Sequence, residues 1–248
     1  MLEPKEFAEG LEQGVDLPGG YEERFSGYAV MGVPFASGHV LGLRHFPASS
    51  LGPGYTSVWH RGPDGRWVFC QDVPPEQGCS RYFGSALDGS LVGQIRIVWS
   101  GPREFTVSVK GDLSLEWRIA LTATPGTRLL NAVSRMMPGN LWRNSTALRL
   151  MGTAAGLALQ AGRVSLVGQV PNGQRFIANP RLIWIVAECA ATLNGQDLGP
   201  AAPLRVQERL GDLWIPQRGI FALAQASLEA FDPLRHLSAT TRGSYMAL

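Results

Sequence analysis

Turns punctuate this sequence almost without pause. Short aromatic and β-branched runs, Gly27 to Val33, His39 to Phe46, Tyr55 to His60 and Arg66 to Gln71, follow one another between glycine- and proline-containing breaks. The sharpest break is Gly62-Pro63-Asp64-Gly65, where Asp-Gly supplies the positive-φ positions of a tight hairpin loop. With 30 glycines and 17 prolines in 248 residues, the chain argues against a helical bundle or coiled coil and predicts many short strands.

The run continues with Val92 to Trp99, Glu104 to Val109 and Leu113 to Thr124. Leu113, Leu115, Trp117, Ile119 and Leu121 fall on one face of the last of these, and Ser114, Glu116, Arg118, Ala120 and Thr122 on the other, which is the period of a half-buried strand. After Pro125-Gly126 the pattern changes. Leu129, Val133 and Met136 recur at helical spacing, with Arg128 and Arg135 on a different face, so an amphipathic helix packed through its apolar stripe is expected. A second helix is expected over roughly Ser145 to Gln160, with Ser145 as its cap. Strand signals resume at Arg163–Val170, Arg175–Ile177 and Leu182–Leu193, break at Asn194-Gly195, and end with Leu204–Leu210, Leu213–Ile215 and Ile220–Leu228.

The expected organisation is an N-terminal arm over 1–24, one barrel-like domain over 25–231 and a polar tail over 232–248. Within the domain, a β half (25–125) and a second β half (162–231) flank a helical insertion (127–160). Strands do not alternate with helices, which disfavours Rossmann and TIM architectures. The predicted fold is mainly β: an antiparallel lipocalin-like barrel, or two packed β halves with a helical insertion.

No stretch of about 18 uncharged apolar residues occurs, so no transmembrane segment is expected, and the acidic start MLEPKEFAEGLEQG is unlike a secretory signal. The expected compartment is the cytoplasm. Cys70, Cys79 and Cys189 form no C-x-x-C pair and read as reduced thiols. Charge is unevenly placed: residues 1–23 hold seven acids against Lys5, whereas Arg118 to Ala187 holds eight arginines and no Asp or Glu. That stretch is suited to an anion, a membrane surface or the acidic N-terminal arm.

Walker A, dinucleotide-binding, zinc-protease, nucleophile-elbow and EF-hand motifs do not occur, and the scattered arginines lack interleaved aromatics, so no nucleic-acid partner is expected. Of four histidines, His39 and His45 share a strand face but sit about 20 Å apart, too far to ligate one metal. No metal and no cofactor are expected. His60, between Trp59 and a turn, is the histidine best placed for a barrel mouth.

Glu188 lies in the apolar run LIWIVAECAATL on the face of Trp184, Val186 and Ala190; a carboxylate there, if inward, gains a raised pKa and suits general acid/base work. An ion pair with Arg118 or Arg181 is the structural alternative. Arg118 or His60 would orient Glu188 or steady developing charge, giving Glu188, Arg118 and His60 as candidate catalytic residues. Trp59, Trp117, Trp184 and Trp214 are candidate pocket walls, and Met136 and Met151 candidate elements of a helical lid over the mouth, with core packing as the alternative for each.

In layout, and in Trp184, Trp214 and the 211–219 loop, residues 25–231 resemble the lipocalin-type, calycin-like proteins grouped with carotenoid hydratases. The resemblance implies a cofactor-free enzyme acting on an apolar, polyene or terpenoid-like molecule by proton transfer. The expected function is binding of a hydrophobic small molecule in a β-barrel pocket with cofactor-independent hydration, cyclisation or isomerisation, a lyase or isomerase activity of secondary metabolism. A non-catalytic carrier of an apolar ligand is the alternative, and a haem or metal protein using His60 or His39 the third. A second copy of the chain is the macromolecular partner the sequence leaves open.

Overall fold

A computed structural model describes residues 3–14, 17 and 20–238. Part of the 1–24 arm, including Pro18 and Gly19, and residues 239–248 of the expected tail lie outside the described residues. Helix α1 (Pro4–Glu12) precedes strands β1 (Glu23–Pro34), β2 (Val40–Ser49), β3 (Pro53–Arg61) and β4 (Trp67–Gln71). A short helix α2 (Ser80–Phe83) leads to β5 (Gly89–Val92), β6 (Gln94–Gly101), β7 (Glu104–Lys110) and β8 (Leu115–Thr122). Helices α3 (Pro125–Met136) and α4 (Ser145–Leu159) follow, then β9 (Val167–Gln169), β10 (Arg175–Leu193), β11 (Gln196–Asp197), β12 (Arg209–Leu210), β13 (Leu213–Trp214) and β14 (Ile220–Leu228).

The main sheet runs β5-β4-β3-β2-β1-β14-β10-β8-β7-β6, with β9 and β11 pairing on β10. Its pairs are antiparallel except β4–β5. The two sequence halves therefore share one sheet, joined where β1 meets β14 and β8 meets β10. The first and last strands of the path are also consecutive in the chain, separated only by Gly93, so the sheet curls until its ends meet covalently. This is the barrel-like, mainly β architecture expected. Gly93 permits the seam: a Cβ there would lie 2.9 Å from Cys70 Sγ and 3.2 Å from the Lys110 carbonyl oxygen.

Burial patterns follow from what covers each face. Strands β6, β7 and β8 alternate between exposed and covered residues, as the Leu113–Thr122 pattern predicts, because only their inner face meets the core. That inner core gathers Tyr28, Leu43, Val58, Phe105, Val107, Trp117, Ile119, Trp184 and Phe221. Strands β1 to β4 are covered on both sides. Their outer face carries a second core of Phe25, Phe46, Tyr55, Trp59, Trp67, Phe69 and Phe83, closed by Leu210, Leu213 and Ile215 from the late loop. Trp59 stacks on Phe69 at 4.2 Å in that outer core, so it does not wall the interior with Trp117 and Trp184 as the sequence reading proposed.

Helix α3 is turned inside out relative to the sequence expectation. Thr127, Asn131 and Ser134 face the sheet, whereas Leu129, Val133 and Met136 face solvent. The cause lies in β10, which pairs with β9 over residues 175–177 and with β8 over 185–193, leaving the edge between them open. An open edge needs hydrogen bonds. Asn131 supplies two, donating from Nδ2 to the Ile183 carbonyl at 3.0 Å and accepting the Ile183 N–H at 2.8 Å, and Ser134 Oγ donates to the Pro180 and Arg181 carbonyls. The polar face is buried because the sheet edge requires it.

The lid expected from 127–160 is corrected accordingly. Met136 is 83% exposed, and Met151 is half-buried against Trp142 and Leu148 behind the sheet. Helix α1 covers the interior instead. Ala8 is fully buried in the inner core with Phe7 and Leu11 beside it, and Lys5 N donates to the Pro102 carbonyl at the β6–β7 turn. Glu3 grips Arg103 through two contacts of 2.7 Å, which hold the Glu3 carboxyl below its usual range. At the helix's other end Glu12 reaches His45 on β2. The cationic partners of the acidic arm among the described residues, Arg103, His45 and Arg81 besides its own Lys5, lie outside the 118–187 stretch. Among the described residues no helix is long and apolar enough to cross a membrane.

Candidate functional site

Beneath the C-terminal end of α1, the inner face of the sheet gathers polar groups that the core does not use. Leu41 and Leu43 point inward from β2, and strand parity carries His45 to the same face. Thr56 stands opposite on β3, with 2.9 Å between His45 Nδ1 and Thr56 Oγ1. The other ring nitrogen, Nε2, lies 3.4 Å from Glu12 Oε1. On β1, regular alternation from the outward Phe25 to the inward Val30 turns Tyr28 inward, its ring centroid 4.8 Å from that of His45, and the register irregularity between Ser26 and Tyr28 puts its extra residue on β2. Gly27 makes the approach feasible, since a Cβ there would meet the His45 carbonyl oxygen at 2.0 Å. Trp99 and Phe221 complete the wall, at 6.5 and 5.5 Å from the Tyr28 ring.

Among the described residues, the buried Tyr28 Oη and Trp99 Nε1 have chiefly each other as partners, and His45 Nε2 has the Glu12 carboxylate at 3.4 Å. Buried groups so sparsely partnered have capacity left for a further hydrogen bond. Burial pushes the Tyr28 hydroxyl well above its ordinary range, with the Glu12 charge adding to it, so it stays a phenol. Burial also lowers the His45 pKa, against the opposing pull of Glu12 and Asp72, so His45 is neutral at pH 7. A neutral imidazole and a protonated phenol then stand side by side.

A groove of about 490 Å³ opens beside α1, lined by Phe7, Ser134, Arg135, Met137, Arg181 and Leu182. Phe7 lines this groove, packs against the inner core and lies 6.4 Å from Trp184. Burial lowers the Arg181 pKa, and its guanidinium lies over Trp142 at 4.7 Å.

The residues singled out from sequence are dispersed. Glu188 and Arg118 do lie together, but on the outer face of β8 and β10, lining an open depression of about 400 Å³ with Glu104, Ser100 and Thr106. Both are exposed, and Arg118 Nε is 3.9 Å from Glu116. The parity argument fails at a register shift between Val186 and Glu188: Trp184 and Val186 point inward, the extra residue Ala187 reverses the order, and Glu188 faces water. Glu188 therefore stands on the exposed outer face and not in the enclosed apolar site expected. Trp117 and Trp184 are buried in the inner core as packing residues, and Trp214 lies outside it, with Arg163 and Arg209 at 4.8 and 5.5 Å.

His60 is half-buried against His39, with 2.9 Å between His39 Nδ1 and His60 Nε2. Burial and the neighbouring imidazole lower His60 to about 4. A folded-state pKa below the unfolded value of about 6.5 means that the native state resists protonation, so this pair costs stability as pH falls from about 6.5 toward 4. An NMR titration should show His60 still neutral at pH 5.5; a midpoint near 6.5 contradicts the packing described. Among the described residues no group of three or more His, Cys, Asp or Glu side chains is placed to hold a metal ion.

Sequence reasoning placed His45 on one strand face with His39 and set it aside for their separation, and it gave no site role to Tyr28, Glu12, Thr56 or Trp99. Two signals were available: the shared parity of Leu41, Leu43 and His45, and the small residue at Gly27 before an aromatic.

No protein-family model matches this chain, and no curated protein does. Among solved structures, the acetoacetate decarboxylase of Legionella pneumophila subsp. pneumophila str. Philadelphia 1 is similar at 10% identity and a TM-score of 0.40, over 89% of this chain and 92% of that one. A second acetoacetate decarboxylase structure is similar at 9% identity and a TM-score of 0.38, over 86% of this chain and 88% of that one.

Proposed function

We propose that this chain is a cofactor-independent acid–base enzyme that works on an apolar small molecule inside the curled sheet, with 25–231 as its barrel-like domain and α1 as its plug. The observation that carries the reading is the cluster of sparsely partnered buried groups, Tyr28 Oη, Trp99 Nε1 and His45 Nε2, beneath α1. Hydration, cyclisation and isomerisation each need one proton removed and one delivered, and the corner contains a group for each task. His45, held between Thr56 at Nδ1 and Glu12 at Nε2, is the base through whichever ring nitrogen carries no proton. Once the ring is doubly protonated, the Glu12 carboxylate 3.4 Å from Nε2 stabilises the imidazolium. Tyr28 Oη and Trp99 Nε1 are the donors for an oxygen on which charge develops, in a corner walled by Phe221 where such donors act strongly. The role first given to Glu188 passes to His45, because Glu188 faces water.

The test uses geranylacetone, an apolar terpenoid ketone, incubated with the protein in D2O while NMR follows deuterium entering beside the carbonyl. The wild-type protein should exceed buffer, and His45→Gln and Tyr28→Phe should each lower the rate by about 100-fold. Because the base must be neutral, the rate should rise with pH through a midpoint below the ordinary histidine value of about 6.5 and then level off. Geranylacetone binding without exchange would make the protein a carrier and overturn the enzymatic reading.

A further inference from the structure

The inverted helix leaves an apolar stripe in water. On α3, Leu129 is 62%, Val133 46% and Met136 83% exposed, and their spacing with Ala132 puts all four on one arc of the helix. The neighbouring α4 adds Leu150 at 68% and Leu157 at 77%, one helical stripe apart on its outer side. Six of the twelve large exposed hydrophobics among the described residues fall between 129 and 157. Concentration of this kind marks a contact surface.

The flanking charge is of one sign. Arg128 and Arg135 border the α3 stripe, Arg143 and Arg149 are exposed nearby, and none of the four has an ion pair among the described residues. The chain from 118 to 187 contains no Asp or Glu to neutralise them. A second copy is a poor occupant, because a two-fold contact would set this arginine-rich face against itself. Nucleic acid would meet the arginines but would leave the leucine and methionine stripe wet. A sheet of anionic lipid answers both features, taking apolar side chains between its headgroups and pairing the guanidiniums with phosphates.

We propose that the outer face of α3 and α4 docks on an anionic lipid membrane through Leu129, Val133 and Met136, with Arg128 and Arg135 pairing the headgroups. The groove beside α1 shares this end of α3, through Ser134, Arg135 and Met137, so a docked molecule presents that groove close to the lipid. The surface assignment rests on exposure and charge and stands independently of the acid–base chemistry.

The test is flotation of the full chain with vesicles of phosphatidylcholine alone or mixed with phosphatidylglycerol. Binding is expected to the mixed vesicles only, and to fade as salt shortens the screening length to about 3 Å near 1 M. Combined Leu129→Ser, Val133→Ser and Met136→Ser should lower binding at least about tenfold, and Arg128→Gln with Arg135→Gln should erase the preference for anionic lipid. These side chains are exposed, so unchanged thermal melting shows that the fold survives; if the triple variant melts early, Met136→Ser alone, the most exposed of the three, should still weaken binding. No binding to the mixed vesicles, or wild-type binding by folded variants, overturns the proposal. So does a dimer in light scattering that the serine variant dissolves, which would make a second copy the occupant.

Discussion

Replacing Glu23 by glutamine is expected to destabilise the protein by about 3 kcal/mol, since breaking a buried ion pair strands the remaining charge. Glu23 is 8% exposed at the start of β1. Its Oε1 accepts from Arg81 Nη2 at 2.7 Å, and its Oε2 accepts from Tyr82 Oη at 2.6 Å and from Gln174 Nε2 at 3.1 Å. One carboxylate thereby ties β1 to α2 and to the turn before β10. Glutamine keeps one acceptor oxygen but leaves Arg81 without a counter-charge and turns two acceptor positions into a donor. Burial raises the Glu23 pKa, but the hydrogen bonds from Arg81, Tyr82 and Gln174 outweigh it and hold the group below its ordinary 4.5. The sign follows: a depressed carboxylate contributes stability above the unfolded value and loses it as pH falls through the folded one. Urea unfolding at pH 7 should therefore separate wild type from variant clearly, and the gap should narrow below about pH 4.5. A gap of equal size at acid pH would assign the loss to packing and defeat the ion-pair account.

What the sequence made legible was whatever depends on local period and local turn chemistry. Alternation in Leu113–Thr122 predicted which side chains of β8 are covered, and Asn194-Gly195 marked a turn in which both residues take positive φ, 49° and 80°. Inward and outward could not be carried past a bulge, because one extra residue reverses parity without any mark in composition, and Glu188 was misplaced for that reason. The same limit made two strand runs, 175–177 and 182–193, look separate, yet β10 joins them through Pro180 with a register shift between Pro180 and Leu182. Helix α3 was legible as a helix but not in orientation. Its apolar stripe points outward because an open edge of β10 needed Asn131 and Ser134, a requirement set by partners distant in sequence. The candidate site was hardest to see. Glu12, Tyr28, His45, Thr56 and Trp99 come from five elements, and only the closure of β5 onto β6 through Gly93 brings the last strand round to the first three.

Phe221→Ala is expected to be as costly as any single substitution in the chain, about 3 to 5 kcal/mol, through lost burial and the cavity left behind. Phe221 is fully buried on β14, near the middle of the sheet path, and its ring centroid lies 5.5 Å from Tyr28, 5.8 Å from Phe105, 6.0 Å from Trp184 and 6.1 Å from Trp99. Four aromatic neighbours on separate strands cannot all collapse into the space of one missing ring, so the void should persist. A persistent apolar void has a signature that general unfolding lacks: it binds a molecule of its own shape. Benzene should raise the melting temperature of the variant and leave the wild type unchanged, and the urea midpoint should fall with little change in slope. The consequence for chemistry is separate and sharper. Phe221 holds Tyr28 and Trp99 in place from one side, so removing it should reduce deuterium exchange into geranylacetone even after benzene restores stability, because benzene fills space without fixing the direction of the Tyr28 hydroxyl. Full recovery of both stability and exchange with benzene would mean that Phe221 only fills volume. A variant that lost slope and cooperativity instead would show that the aromatic cluster sets the fold, with no preformed corner beneath α1 for a ligand to enter.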